Sequence, residues 1–121
     1  MYPSITHLEE LTRPTYECLP QNAHSNALVS SIAIAGAHKM YGFTVNNTNA
    51  AAQFILIFDL ATLPADGAVP AVSLTAPGAS DKGVLWLPPR KMLQGICICN
   101  SSTAGTKTIG AADCFFDVQY L

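Results

Sequence analysis

From residue 27 onward, turn-forming clusters interrupt the chain every 10 to 15 residues: Gly36, Asn46-Asn47-Thr48-Asn49, LPADGAVP (63–70), APGASDKG (76–83) and Pro88-Pro89. This punctuation is the strongest constraint on the fold, because it leaves no room for a helix of ordinary length between one turn and the next. The intervening runs are short, apolar and rich in β-branched or aromatic residues: ALVSSIAIA (27–35), HKMYGFTVNN (38–47), AQFILIFD (52–59), VPAVSLTA (69–76), GVLWLPP (83–89), MLQGICICN (92–100) and CFFDVQYL (114–121). Evenly spaced short strands without helices between them predict an all-β domain. The expected architecture is a single β-sandwich or jelly roll of about seven to eight antiparallel strands, not a βαβ arrangement. Two details are also expected. The paired prolines should end the GVLWLPP strand, and MLQGICICN should pair with CFFDVQYL across the polar connection SSTAGTKTIGAAD.

Residues 1–26 read differently. They hold Pro3, Pro14 and Pro20 and show no strand alternation. Thr6 and Glu9 have capping-box spacing, which allows a short helix near residues 5–13 ended by Pro14. Tyr2, Ile5, Leu8, Leu11, Tyr16 and Leu19 are many anchors for an idle tail. The segment is therefore expected to be an extended N-terminal arm (1–26) lying against a neighbour, with the sandwich occupying 27–121.

Charged residues make up only 12% of the chain, against 50% hydrophobic, where soluble domains carry about 25% charge. A small domain with so little surface charge is sticky if left bare, so much of its surface is expected to lie against other subunits. The net charge of −2 leaves no basic stripe for nucleic acid. The longest strongly apolar run, FILIF (54–58), is far short of a membrane span. The start of the chain, MYPSITHLEELTR, has Glu9 and Glu10 where a secretory signal needs an apolar stretch, so synthesis in a reducing cytoplasm is expected.

GICIC (95–99) carries two thiols with one residue between them. On a strand, Cys97 and Cys99 share a face with their Cα atoms about 6.6 Å apart, near the upper limit for a disulfide and with parallel Cβ vectors. His7, His24 and His38 stand singly, so no second Cys/His pair completes a zinc site. The expected role of these cysteines is that of small buried hydrophobes. Both parities of GICIC and FILIF are apolar, which implies cover on two faces, the second supplied by the arm or a neighbouring subunit. No cupin-type histidine cluster or G-x-S-x-G elbow is present, and the aspartates sit where turn chemistry puts them. No enzymatic activity, metal or cofactor is expected. Trp86, beside two prolines and Arg90, fits either a core position or an interface anchor.

YGFTVNNTNAAAQFILIFDLATLPADGAVPAVSLTAP, followed by LPPRKMLQGICICNSSTAGTKTIGAADCFFDVQYL, resembles small structural proteins of tailed bacteriophages. The shared order is a YG strand, an N-T-N turn, an apolar strand ending in Asp, a P-x-D/G-x-x-P loop and a G-I-x-x-x-x-S strand. A Thr-rich loop and a final aromatic strand complete it. The resemblance covers about residues 40–121. It implies a β-sandwich virion component, either a capsid decoration (cement) protein or a head–tail or tail accessory protein. On that reading the protein binds the major capsid protein and itself, with a trimer as the first expectation, on the capsid surface of a virion made in the host cytoplasm. The arm residues above, together with Trp86 and Arg90, would form the interface. The competing reading is a neck, tail or fibre component, or a receptor- or carbohydrate-binding module.

Overall fold

The computed structural model describes residues 20–121, which form eight strands: β1 (Gln21–His24), β2 (Ser31–Ala35), β3 (His38–Asn47), β4 (Gln53–Phe58), β5 (Val72–Ala76), β6 (Ser80–Met92), β7 (Gly95–Ser101) and β8 (Cys114–Tyr120). They build two four-stranded antiparallel sheets, ordered β1-β8-β3-β6 and β2-β7-β4-β5. The pairings nest. β4 pairs with β5, β3 with β6, β2 with β7 and β1 with β8. The chain is thus one long hairpin, doubled back on itself between β4 and β5. It is then rolled up so that β8 meets β3 and β7 meets β4. This is the jelly roll, in which alternate pairs of the hairpin fall into opposite sheets. The all-β, two-sheet architecture expected from the turn spacing is present.

Period-2 alternation fills the space between the sheets. Met40, Phe43, Val45, Phe116 and Val118 from the first sheet meet Ile55, Ile57, Ile96 and Ile98 from the second, all at most 1% exposed. Leu56, Phe58, Cys97 and Cys99 point out of the other side of the second sheet and are buried as well. Their packing partners among the described residues are Phe54 and, from the β4–β5 connection, Leu60 and Ala68. That connection is held to the β7–β8 connection by two backbone bonds, Gly67 N–H to Lys107 O and Lys107 N–H to Ala68 O, each 2.8 Å. The Lys107 ammonium, almost wholly buried, reaches the Asp66 carboxylate. The doubly apolar strands therefore do have two covers, as their patterning requires. Among the described residues the second cover is supplied by the chain's own loops; the arm expected there lies mostly outside the described residues.

Three local expectations are corrected. The prolines do not end β6, which continues through Pro88 and Pro89 to Met92. β6 is an edge strand, and between the pairs Met40–Arg90 and Gly42–Leu85 its residues 86–89 stand opposite Tyr41 alone. Proline's missing N–H is tolerated at such an unpaired edge bulge. Gly42 permits the close approach of β6 just beyond it, because a Cβ there would lie 2.1 Å from the Val84 carbonyl oxygen. Second, β7 and β8 do not pair. They belong to different sheets, and the 102–113 connection crosses between them. Third, Gln21–His24, placed by sequence in the arm, adds to the sheet as β1 against β8.

Polar side chains tie off the ends of the roll. Asp59, just after β4, accepts backbone N–H bonds from Leu93 (3.0 Å), Gln94 (2.8 Å) and Gly95 (3.3 Å), which shape the β6–β7 turn. At the opposite end Asp113 accepts from Gln53 (2.8 Å), Asn100 (2.8 Å) and Asn49 (2.9 Å). Asn47 there donates to carbonyls of Ala51, Ala76 and Pro77. Asp59 and Asn47 thereby supply partners to strand-end backbone, while Asp113 gathers side-chain amides from three segments.

Candidate interaction surface on the β6 edge

Alternation along β6 sends Val84 and Trp86 inward and leaves Leu85 and Leu87 outward, 69% and 76% exposed. Leu93, in the turn that follows, is 63% exposed. Three large aliphatic side chains on or just past one sheet edge are thus exposed, the kind of feature that marks a contact surface. Trp86 is not one of these exposed groups. It is half-buried and packs on Phe43 with ring centroids 6.0 Å apart. The Arg90 guanidinium carbon lies 5.6 Å from its ring centre, in cation–π range. Of the two readings left open for Trp86, its packing favours a core position at the sheet margin, with exposed Arg90 as its lid.

The same end of the sheet collects positive charge. Lys39 and Lys91 are direct cross-strand partners, both exposed, and Arg90 is next in line opposite Met40. Arg90 has the opposite side-chain parity, shared with buried Met40, and lies over Trp86, so the outward-facing pair is Lys39 with Lys91. Like charges directly opposite each other in a ladder are unfavourable. Among the described residues the one ion pair joins Lys107 to Asp66, and beside Lys39 the Leu121 carboxyl group accepts its backbone N–H at 2.9 Å. Between Lys39 and Lys91 lies a mainly apolar hollow of 240 Å³, lined also by Ala37, His38, Met92 and Leu121.

A second concavity lies on the outer face of the first sheet. It measures 310 Å³ and is lined by His24, Thr44, Asn46, Asp81, Phe115 and Asp117 among others. His24 stacks on Phe115 at 6.3 Å and 20°, and Asn46 donates to Asp81.

The three thiols among the described residues are held out of reactive chemistry. Cys97, Cys99 and Cys114 are free and fully buried. Burial pushes the Cys97 thiol up to about 11 and those of Cys99 and Cys114 to about 12. A thiol held protonated is neither a nucleophile nor a metal ligand. Among the described residues no three His, Cys, Asp or Glu side chains gather as a metal site would need.

Of the interface residues expected from sequence, Arg90 lies on the exposed edge and Trp86 beneath it, whereas Tyr2, Ile5, Leu8, Leu11, Tyr16 and Leu19 lie outside the described residues. Leu85, Leu87 and Leu93 were missed. The signal was available, since VLWL is apolar at both parities just as FILIF is, and an edge strand exposes the parity that the core does not use.

No family model matches the chain, and no curated protein matches it. Among solved structures, the coat protein of Tobacco streak virus is similar at 11% identity, covering 83% of this chain and 84% of that one, with a TM-score of 0.36.

Proposed function

We propose that the chain is a non-enzymatic structural protein of a bacteriophage virion, a capsid decoration or cement protein that binds the major capsid lattice as a homo-oligomer and stabilises the head. The carrying observation is the exposure of Leu85 and Leu87 on an edge strand and of Leu93 just past it, near the facing Lys39 and Lys91, in a chain otherwise so poor in charge. Burying these side chains contributes about 25 cal/mol for each Å² of apolar area removed from water. An N-terminal arm reaching a second subunit adds avidity without a new site. The resemblance of residues 40–121 to phage structural proteins points the same way, and the jelly roll, a fold shared by capsid, lectin and enzyme domains, leaves the assignment to the surface. The test is particle binding. The full chain should decorate capsids at lattice copy number, a truncation lacking residues 1–20 should bind more weakly, and equal decoration by the truncated protein would sink the clamp.

The groove around Phe115 favours a second reading, a carbohydrate-binding module of the virion. An aromatic face flanked by Asp81, Asn46 and Asp117 presents the stacking surface and polar groups that a sugar ring uses. Binding on a glycan array that is lost in Phe115→Ala supports this reading, and no binding to any glycan rejects it.

A further inference from the structure

The edge strands of the two sheets are not equally protected. β6 carries Pro88, Pro89 and the charges of Asp81, Lys82, Arg90 and Lys91. β5 lies between Pro70 and Pro77, and β1 follows Pro20. Proline and charge are what keep an edge from pairing with another chain. β2 has neither, since from residue 27 to residue 37 the sequence contains no Asp, Glu, Lys, Arg or Pro. We infer that this edge is a self-association surface: the β2 strands of two copies pair antiparallel about a two-fold axis at Ala33, joining the two β2-β7-β4-β5 sheets into one.

The open backbone groups of β2 match themselves about that axis. Asn100 N–H donates to Ser30 O (3.0 Å) and Gly36 N–H to Gln94 O (2.9 Å), so the even-numbered residues of the strand face β7. Odd-numbered residues face the other way. Val29 does so and exchanges two backbone bonds with Cys114, at 2.9 and 3.2 Å. Beyond it Ser31, Ala33 and Ala35 turn their N–H and C=O groups to the open side, where no described strand pairs with them. With Ala33 opposite its own copy, Ser31 falls opposite Ala35 of the partner subunit. Every residue with free groups then meets another, and each such pair exchanges two bonds.

The side chains fit the same axis. Ile32 and Ile34 pack on the core but are only partly buried at the sheet margin. In this register Ile32 stands opposite Ile34 of the partner subunit with Cα atoms about 4.5 Å apart, so pairing carries the core layer across the axis and covers the exposed sides of both. Ala33 and Ala35 are exposed and too small to obstruct the approach. A two-fold axis sets each charge near it against its own copy, so an uncharged strand is what self-pairing requires. Five residues a side cover less than the roughly 800 Å² per partner of a stable complex, so the free pair should dissociate in the micromolar range.

This deepens the assembly reading, on which the pair's place in a particle rests, and gives it a two-fold unit where a trimer was the first expectation. The experiment uses the full chain. Ala33→Cys and Ala35→Cys, each combined with Cys18→Ser, are oxidised mildly. Across the axis the two Cα atoms at position 33 would lie about 5.5 Å apart, within disulfide range. Those at position 35 would lie about 14 Å apart, four residues out of register. A covalent dimer from the first variant and none from the second is the expected result, and no dimer at 33, or equal dimer at both, overturns the proposal. Sedimentation of the wild-type chain should show a concentration-dependent dimer. Ala33→Pro removes an N–H from the open side alone and should weaken that dimer at least tenfold, with the fold checked by circular dichroism. A wild-type chain still monomeric at about 1 mM, or a folded Ala33→Pro chain that dimerises as well, also overturns it. The two readings fail separately. Capsid decoration by a chain that fails these tests keeps the assembly reading and removes this interface, whereas cross-linking at 33 by a chain that decorates nothing supports the pairing and removes that reading.

Discussion

Replacing both Cys97 and Cys99 with alanine tests the claim that the outer face of the second sheet is packed as tightly as the core. Both side chains are 0% exposed, beneath a cover that includes Leu60 and Ala68. Each substitution removes one sulfur, comparable to a buried methylene at about 0.8 kcal/mol, plus a small cavity that rigid neighbours fill incompletely. The two sites lie two residues apart under one cover, so their effects couple and the sum is only approximate. A combined loss of about 2–3 kcal/mol follows. For a domain of this size that lowers Tm by roughly 6–12 °C. Thermal melts followed by circular dichroism, with urea titrations to check that the m-value is unchanged, measure it. Native Cys97 and Cys99 at pH 8, followed site by site by mass spectrometry, should resist a thiol-reactive dye by two to three orders of magnitude relative to the denatured chain, because pKa values near 11 and 12 in place of 9.0 cut the thiolate fraction that far. A Tm change below about 2 °C together with rapid native labelling would refute the packing.

Stability should fall as pH rises above 9. Each buried thiol stays protonated in the folded chain to about 11 or 12 while the unfolded chain ionises from 9.0, so the unfolded state binds fewer protons through that window; urea titrations at pH 8 and pH 10.5 read the difference. At the acid end Asp59 works in the opposite sense. The N–H bonds from Leu93 and Gln94, then Gly95, hold its carboxyl below 3.8 against the opposing effect of burial, so its contribution is present above that pH and is lost as the pH falls through the lowered value. Gly42→Ala should cost about 3 kcal/mol in a urea titration, because the added methyl meets the Val84 carbonyl and must push β6 away. Asp113→Ala should cost about 2–3 kcal/mol by the same measurement, since it strips acceptors from Gln53, Asn49 and Asn100. A neutral outcome for either would mean that the surrounding backbone relaxes freely.

The strands were legible because turn residues bracket them: β3 occupies the HKMYGFTVNN run and β8 all but the last residue of CFFDVQYL. Their pairing was not. Chain neighbours usually pair, but in a rolled hairpin β7 and β8 join opposite sheets, and nothing local to SSTAGTKTIGAAD says whether it turns or crosses. The burial of Cys97 and Cys99 was readable from the double apolar parity of GICIC. What covers them was not, because it depends on the contact of Gly67 with Lys107 across 40 positions of sequence. The exposed leucines of β6 were hidden for a different reason. Leu85 and Leu87 look like core residues until β6 is known to lie at an edge, and the prolines that suggested an early stop were the edge's own signature.

The pairing of Gln21 with Tyr120 has a mechanical consequence. Because β1 runs antiparallel to β8, the two ends of the described chain, residues 20 and 121, lie at one end of the first sheet. A load between residue 20 and residue 121 therefore meets the hydrogen bonds singly, as in opening a zipper, and does not shear the ladder as a whole. β1 is four residues long and mostly exposed, so it should peel first and at low force, leaving β8 held by β3. Pulling on this pair of ends in a force spectrometer should show a small early extension before the main unfolding event. Tension arriving through the arm would thus be met by a strand that yields before the sandwich does.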